Sequence, residues 1–141
     1  NQSHDLSPSV MNDGRVLCAG GAGGNIFTIG PTKQAEIYDP ATNLFTQIAN
    51  LPADAAFPIA VTFTDGRPAV LGGAQGTLDD PVPTSACYAY NTGSNTWTTL
   101  DPMDAAHGGG AGILLEDGTA YYGGGESNNG LATDQAESYT P

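Results

Sequence analysis

Apolar runs of about six residues alternate with polar turns along this chain, and the pattern returns at a fixed interval. The runs "LSPSVM" at 6–11, "PIAVTF" at 58–63 and "GAGILL" at 110–115 each lead into an Asp-Gly pair. The aspartates are Asp13, Asp65 and Asp117, spaced 52 residues apart both times. Asp bonds its own backbone and Gly tolerates positive φ, so each pair predicts a hairpin turn between two strands. The second strand of each hairpin is "RVLCAGG", "RPAVLGG" or "TAYYGGG", closed by paired glycines where the backbone bends or no side chain fits.

A variable polar loop follows, and then a third run: "AEIYDP" at 35–40, "ACYAYN" at 86–91 and "AESYTP" at 136–141. The first two copies go on to a fourth, "NLFTQI" at 43–48 and "NTWTTL" at 95–100. Tyr38 precedes Phe45 by seven residues, and Tyr90 precedes Trp97 by the same seven. No segment sustains a 3.6-residue apolar period over two turns. Four short antiparallel strands per unit of about 50 residues is the signature of a propeller blade. The strands nearest the axis must be small and apolar on both faces, which explains Gly108, Gly109, Gly110 and Gly112. The paired aromatics fill the wider outer gap between blades.

Gly-Gly, then Tyr, then six residues and an aromatic resembles the kelch motif. Gly20, Gly21, Tyr38 and Phe45 carry it in the first copy, and Gly72, Gly73, Tyr90 and Trp97 in the second. Gly124, Gly125 and Tyr139 carry what the third copy has of it. "DGRVLCAGG" with "AEIYDPATNLFTQIANLP" is similar to the kelch blades of the galactose oxidase superfamily in particular. The resemblance implies an all-β, kelch-type β-propeller segment of about 2.75 four-stranded antiparallel blades, near 4–51, 57–103 and 107–141. Such a segment leaves an apolar face open at each end. The expectation is that it is found with the remainder of its own propeller, or with other copies that complete or extend it, rather than as an isolated monomer.

Charge narrows the partners. Fifteen acidic residues face three basic ones, Arg15, Lys33 and Arg67, for a formal charge of −12. Such a surface repels phosphate backbones and anionic lipid, so neither nucleic acid nor membrane insertion is expected. No run of 18 apolar residues occurs. Cys18 and Cys87 are too few for a disulfide framework, and their repeat equivalents hold Val, Tyr or Ala, so no bond between them is expected. The opening "NQSHDL" has no initiator Met and reads as a processed or excised piece, and Asn1-Gln2-Ser3 fits the N-glycosylation pattern. Together these point to a secreted, extracellular chain.

Few groups in the chain are candidates for chemistry. Copper radical oxidases of the resembled superfamily cross-link a Tyr to a Cys on an innermost strand. Here the matching stretch is His4-Asp5-Leu6-Ser7-Pro8, with Leu6 or Ser7 in the cysteine's place. A copper site is therefore implied only under the alternative reading, a fragment of a galactose-oxidase-like enzyme acting on alcohols or aldehydes. His4 and His107 occupy similar places at blade entrances, and with Asp5 and Asp104 are the candidate metal ligands. Asp79-Asp80 and Glu116-Asp117 lack the alternating oxygens of a calcium loop. "GGAGGN" at 20–25 has no Lys-Ser/Thr pair and opens no helix, so it does not cradle phosphate. No Gly-x-Ser-x-Gly elbow is present. The expected function is accordingly non-enzymatic, without a cofactor: a secreted module for binding protein or glycan, or for extracellular assembly. Ligands are expected at the loops 22–34, 74–84 and 126–135 and at the links near 49–57 and 101–108.

Overall fold

The structure, a computed structural model, describes residues 7–24, 29–77, 79–127 and 131–141. His4, Asp5 and Asn1, the proposed ligands and glycosylation site of the first segment, lie outside the described residues. What is described is all-β, with fifteen strands in antiparallel sheets and no helix among the described residues.

The strands follow the apolar runs. β1 (Ser9–Val10), β2 (Val16–Ala19), β3 (Ala22–Gly23), β4 (Gly30–Pro31), β5 (Ala35–Asp39) and β6 (Leu44–Gln47) span the first repeat. β7 (Ile59–Thr62), β8 (Pro68–Leu71), β9 (Ala74–Gly76), β10 (Pro81–Pro83), β11 (Cys87–Asn91) and β12 (Thr96–Leu100) span the second. β13 (Ala111–Leu114), β14 (Ala120–Gly123) and β15 (Ala136–Tyr139) make up the third. The main sheets run β1-β2-β5-β6, β7-β8-β11-β12 and β13-β14-β15. The remaining strands form two ribbons, β3-β4 and β9-β10. The loops between second and third strands, read as variable and polar, thus carry a further hairpin in the first two repeats. Their Gly and Pro content hides these two- and three-residue strands from any alternation count.

Each Asp-Gly pair turns as its chemistry dictates. Asp13 Oδ1 accepts the Arg15 backbone N–H at 3.0 Å, and Asp65 and Asp117 accept those of Arg67 and Thr119 at 2.9 Å. Gly14, Gly66 and Gly118 sit at φ of 85°, 88° and 89° respectively, where a side chain would strain the backbone. At the outer hairpins Asn43 and Asn95 take the left-handed conformation, and each Asn accepts a tyrosine hydroxyl, from Tyr38 at 3.0 Å and Tyr90 at 2.9 Å. Tyr38 stands opposite Phe45 and Tyr90 opposite Trp97, with ring centroids 4.9 and 5.1 Å apart.

The sheets stack face on face in chain order. The trailing face of the first sheet supplies Met11, Leu17, Ala19, Ala35 and Ile37, and the second sheet lays Val70, Tyr88, Tyr90 and Trp97 on it. The second sheet's own trailing face holds Ile59, Val61, Phe63, Leu71, Cys87 and Ala89, covered in turn by Leu114, Ala120, Tyr122 and Tyr139 of the third. Burying an apolar side chain of this size contributes about 1.5–3 kcal/mol. Trp97 Nε1 donates to the Ala49 carbonyl at 2.7 Å, tying the second sheet to the link that leaves the first. First strands lie side by side, β1 against β7 and β7 against β13. Gly112 on β13 meets the Ile59 side chain so closely that a Cβ there has no room.

The aromatic pairs fill an inter-sheet gap in one case only. Tyr90 is buried and Trp97 partly so, whereas Phe45 is 60% exposed, because no described sheet precedes the first. Cys18, whose repeat equivalents Val70 and Tyr122 are buried, is half-buried for the same reason.

Candidate cleft between the second and third sheets

The link 101–108 and the described loop residues 126–127 and 131–135 face one another across the junction of the second and third sheets. They enclose an open cleft of about 670 Å³ lined by Ser85, Asp104, Ser127, Thr133, Asp134 and Gln135 among others. A smaller hollow of about 390 Å³, lined by Asp104, Ala105, His107, Gln135, Ala136 and Glu137, shares several of the same walls.

Threonine turns position the walls. Thr84 Oγ1 accepts the Ala86 N–H at 3.1 Å, and Thr133 Oγ1 accepts that of Gln135 at the same distance. Thr32 does the same for Gln34 at 3.3 Å. Each of these threonines also donates its own N–H to a glycine of the preceding diglycine: Thr32 to Gly21, Thr84 to Gly73 and Thr133 to Gly125. A threonine two residues before the third strand's lead-in is therefore part of the repeat. Its signal, Thr six residues before Tyr, was present at Thr32, Thr84 and Thr133 but lay inside loops read as variable.

Of the two candidate metal ligands among the described residues, Asp104 and His107, the second lies buried at the junction. It sits in the link, four residues before β13, in an isolated bridge with Thr84, rather than at the start of the innermost strand as the sequence register suggested. Its backbone carbonyl accepts the Gly73 N–H at 2.8 Å, and its ring lies 4.7 Å from that of Tyr122. Nδ1 is 3.1 Å from the Gly124 carbonyl, which can only accept, so the proton of that bond is on Nδ1. Nε2 stands 3.2 Å from Glu137 Oε1 without hydrogen-bond alignment and has no hydrogen-bond partner among the described residues. The contact is a charge pair only when the imidazole is protonated.

Glu137 is a residue that sequence reasoning missed. Its carboxylate accepts the backbone N–H of Asp104 at 2.9 Å and of Ala105 at 3.4 Å, so it fixes the link that forms one wall. The available signal was Glu36, which holds the same slot in "AEIY" that Glu137 holds in "AESY". Asp104, another proposed ligand, contributes its backbone to this contact while its side chain is exposed. Among the described residues no three His, Cys, Asp or Glu side chains gather as a metal-binding group.

Thiol and phenol chemistry is held down nearby. Burial pushes the Cys87 thiol up to about 11, and its Sγ–H faces the Ser85 carbonyl at 3.5 Å. Burial also raises Tyr139, whose hydroxyl donates to the Asp101 carbonyl at 2.6 Å, and Tyr122. Neither Cys87 nor these tyrosines supplies a nucleophile near neutral pH. Cys18 and Cys87 are both free thiols. What the cleft offers is hydroxyl, amide and carboxylate groups on a fixed frame, which suits hydrogen bonding to a polar ligand.

No family model matches the chain, and none of the curated proteins does. Solved structures do. That of YjhT superposes with a TM-score of 0.76 at 15% identity, over 97% of this chain and 51% of the other. The likeness is one of fold. The chain spans about half the length of that structure.

Proposed function

We propose that the chain is a segment of a kelch-type β-propeller that works outside the cell as a binding module, with a protein or glycan ligand held at the loops. Three features favour the propeller: equivalent sheets stacked in chain order, first strands side by side, and diglycines and Tyr-aromatic pairs in equivalent slots. The cleft between link 101–108 and loop residues 131–135 carries the binding reading, because it presents Ser85, Thr133, Asp134 and Gln135 on backbone fixed by the third-strand turns. At a net charge of −12 a neutral, hydroxyl-rich ligand such as an uncharged oligosaccharide escapes the repulsion that an anionic one meets.

The test is a titration of isotope-labelled protein with a panel of neutral and acidic oligosaccharides. Amide shifts confined to Ser85, Asp104–Ala106 and Thr133–Gln135, lost in Asp134→Ala, are the expected result. Copper-dependent release of peroxide from alcohols or aldehydes by the same protein would overturn the binding reading in favour of an oxidase fragment.

A further inference from the structure

One junction between sheets carries a polar pair that the other does without. The links into the second and third sheets run in the same register: the Ala55 carbonyl accepts the Gly21 N–H at 2.7 Å, and the His107 carbonyl accepts that of Gly73 at 2.8 Å. On the sheets that follow, Tyr88 opposite Val70 and Glu137 opposite Tyr122 hold one slot. Ala55 and Tyr88 at the first junction thus correspond to His107 and Glu137 at the second. The first junction packs without an imidazole or a carboxylate in these slots, so the stacking itself does not require the pair.

The His107 side chain is 1% exposed, and its two nitrogens differ. The Nδ1 proton is committed to the Gly124 carbonyl, which leaves the neutral ring with a lone pair on Nε2. Glu137 Oε1, another acceptor, stands 3.2 Å away, and no hydrogen-bond partner reaches Nε2 among the described residues. The two atoms are misaligned for an N–H···O bond, as two ligands of one ion are, because each lone pair points at the ion rather than at the other ligand. A histidine that binds metal commonly donates its other ring N–H to a backbone carbonyl, as His107 does. Tetrahedral zinc holds a nitrogen and a carboxylate oxygen about 3.4 Å apart, close to the separation found here. The backbone N–H groups of Asp104 and Ala105 hold the carboxylate in place. Both side chains line the hollow of about 390 Å³, where Asp104 adds negative charge.

We propose that His107 Nε2 and Glu137 Oε1 are the two protein ligands of a divalent transition-metal ion of the zinc class, with water from the hollow completing its shell. Imidazole paired with carboxylate suits such ions and not magnesium or calcium, which take oxygen ligands. The ion ties β15 to the link 101–108 and so steadies one wall of the neighbouring cleft. The site goes beyond the binding reading and stands whether or not the cleft holds a glycan.

Zinc chloride titrated into isotope-labelled protein tests this, followed by long-range proton–nitrogen spectra of the histidine rings and by calorimetry. The expected result is a shift of His107 Nε2 with Nδ1 still protonated, no shift of His4, and micromolar affinity. Magnesium and calcium leave His107 Nε2 where it was. Glu137→Gln, which keeps the shape of the side chain, weakens zinc binding at least tenfold while the β circular dichroism is retained. No shift of His107 at millimolar zinc, a shift confined to His4, or unchanged affinity in Glu137→Gln overturns the proposal. So does a ring of His107 that carries protons on both nitrogens at neutral pH and keeps them when zinc is added, which makes the contact an ion pair with Glu137 and not a metal site.

Discussion

Cys87 and Tyr139 come together where the third sheet covers the second, and burial disfavours the anion of both. The folded state holds the Cys87 proton more tightly than the unfolded state, whose thiol titrates near 9.0. The stability this contributes is complete below that pH and is lost as the pH rises through about 11. Thermal melts from pH 8 to 11 should therefore show Tm falling above 9, and falling less steeply in Cys87→Ala. Alkylation of the native protein at pH 8 should label half-buried Cys18 first and leave Cys87 unmodified until denaturant is added. The slot of Cys87 was legible in the sequence, because Ala35 and Ala136 hold it in the other repeats. The exposure of Cys18 was not, since its slot is buried in a sheet that has a neighbour on that side and half-exposed in one that has not. His107 and Glu137 were unreadable as a pair, because two residues 30 apart meet only through the link's path between sheets.

The elements obey local rules that left clear traces. Asp-Gly turns, apolar runs and diglycines placed all eleven strands of the three main sheets, because hairpin chemistry acts over two or three residues. The ribbons β3-β4 and β9-β10 left no such trace, being short and rich in Gly and Pro. Where first strands crowd, Gly112→Ala drives a methyl into Ile59 and the Tyr121 carbonyl, and should cost roughly 1–3 kcal/mol in a denaturant titration. Equivalent aromatics differ by what covers them. Tyr90→Ala removes a buried ring, its hydroxyl bond to Asn95 and its contact with Trp97, at a cost of about 3–5 kcal/mol. Tyr38→Ala, in a partly exposed slot, should cost less than half as much when the chain is dilute and unassociated. Equal costs in the two variants would mean that a sheet already covers Tyr38.

The molecule as a whole is three repeats of one sheet in one stacking order, carried on a strongly acidic surface. Two of its three cations are committed to turns, Arg15 to Asp13 at 2.7 Å and Arg67 to Asp65 at 2.6 Å, which leaves the carboxylate excess elsewhere unbalanced. Added salt should therefore raise Tm by a few degrees, because it screens net repulsion more than it weakens these exposed pairs. The regular period made the stacking legible in outline, but not its direction: which face leads is set by side chains meeting across sheets, which no single repeat records. Methyl–aromatic NOE contacts in the labelled protein measure that direction. Stacking in chain order places the Leu17 and Ile37 methyls against the Tyr90 ring, and the Val61 and Leu71 methyls against Tyr122, in one repeating register. Methyls of the first sheet against Tyr122, or Tyr90 with no partner from the first sheet, would contradict it.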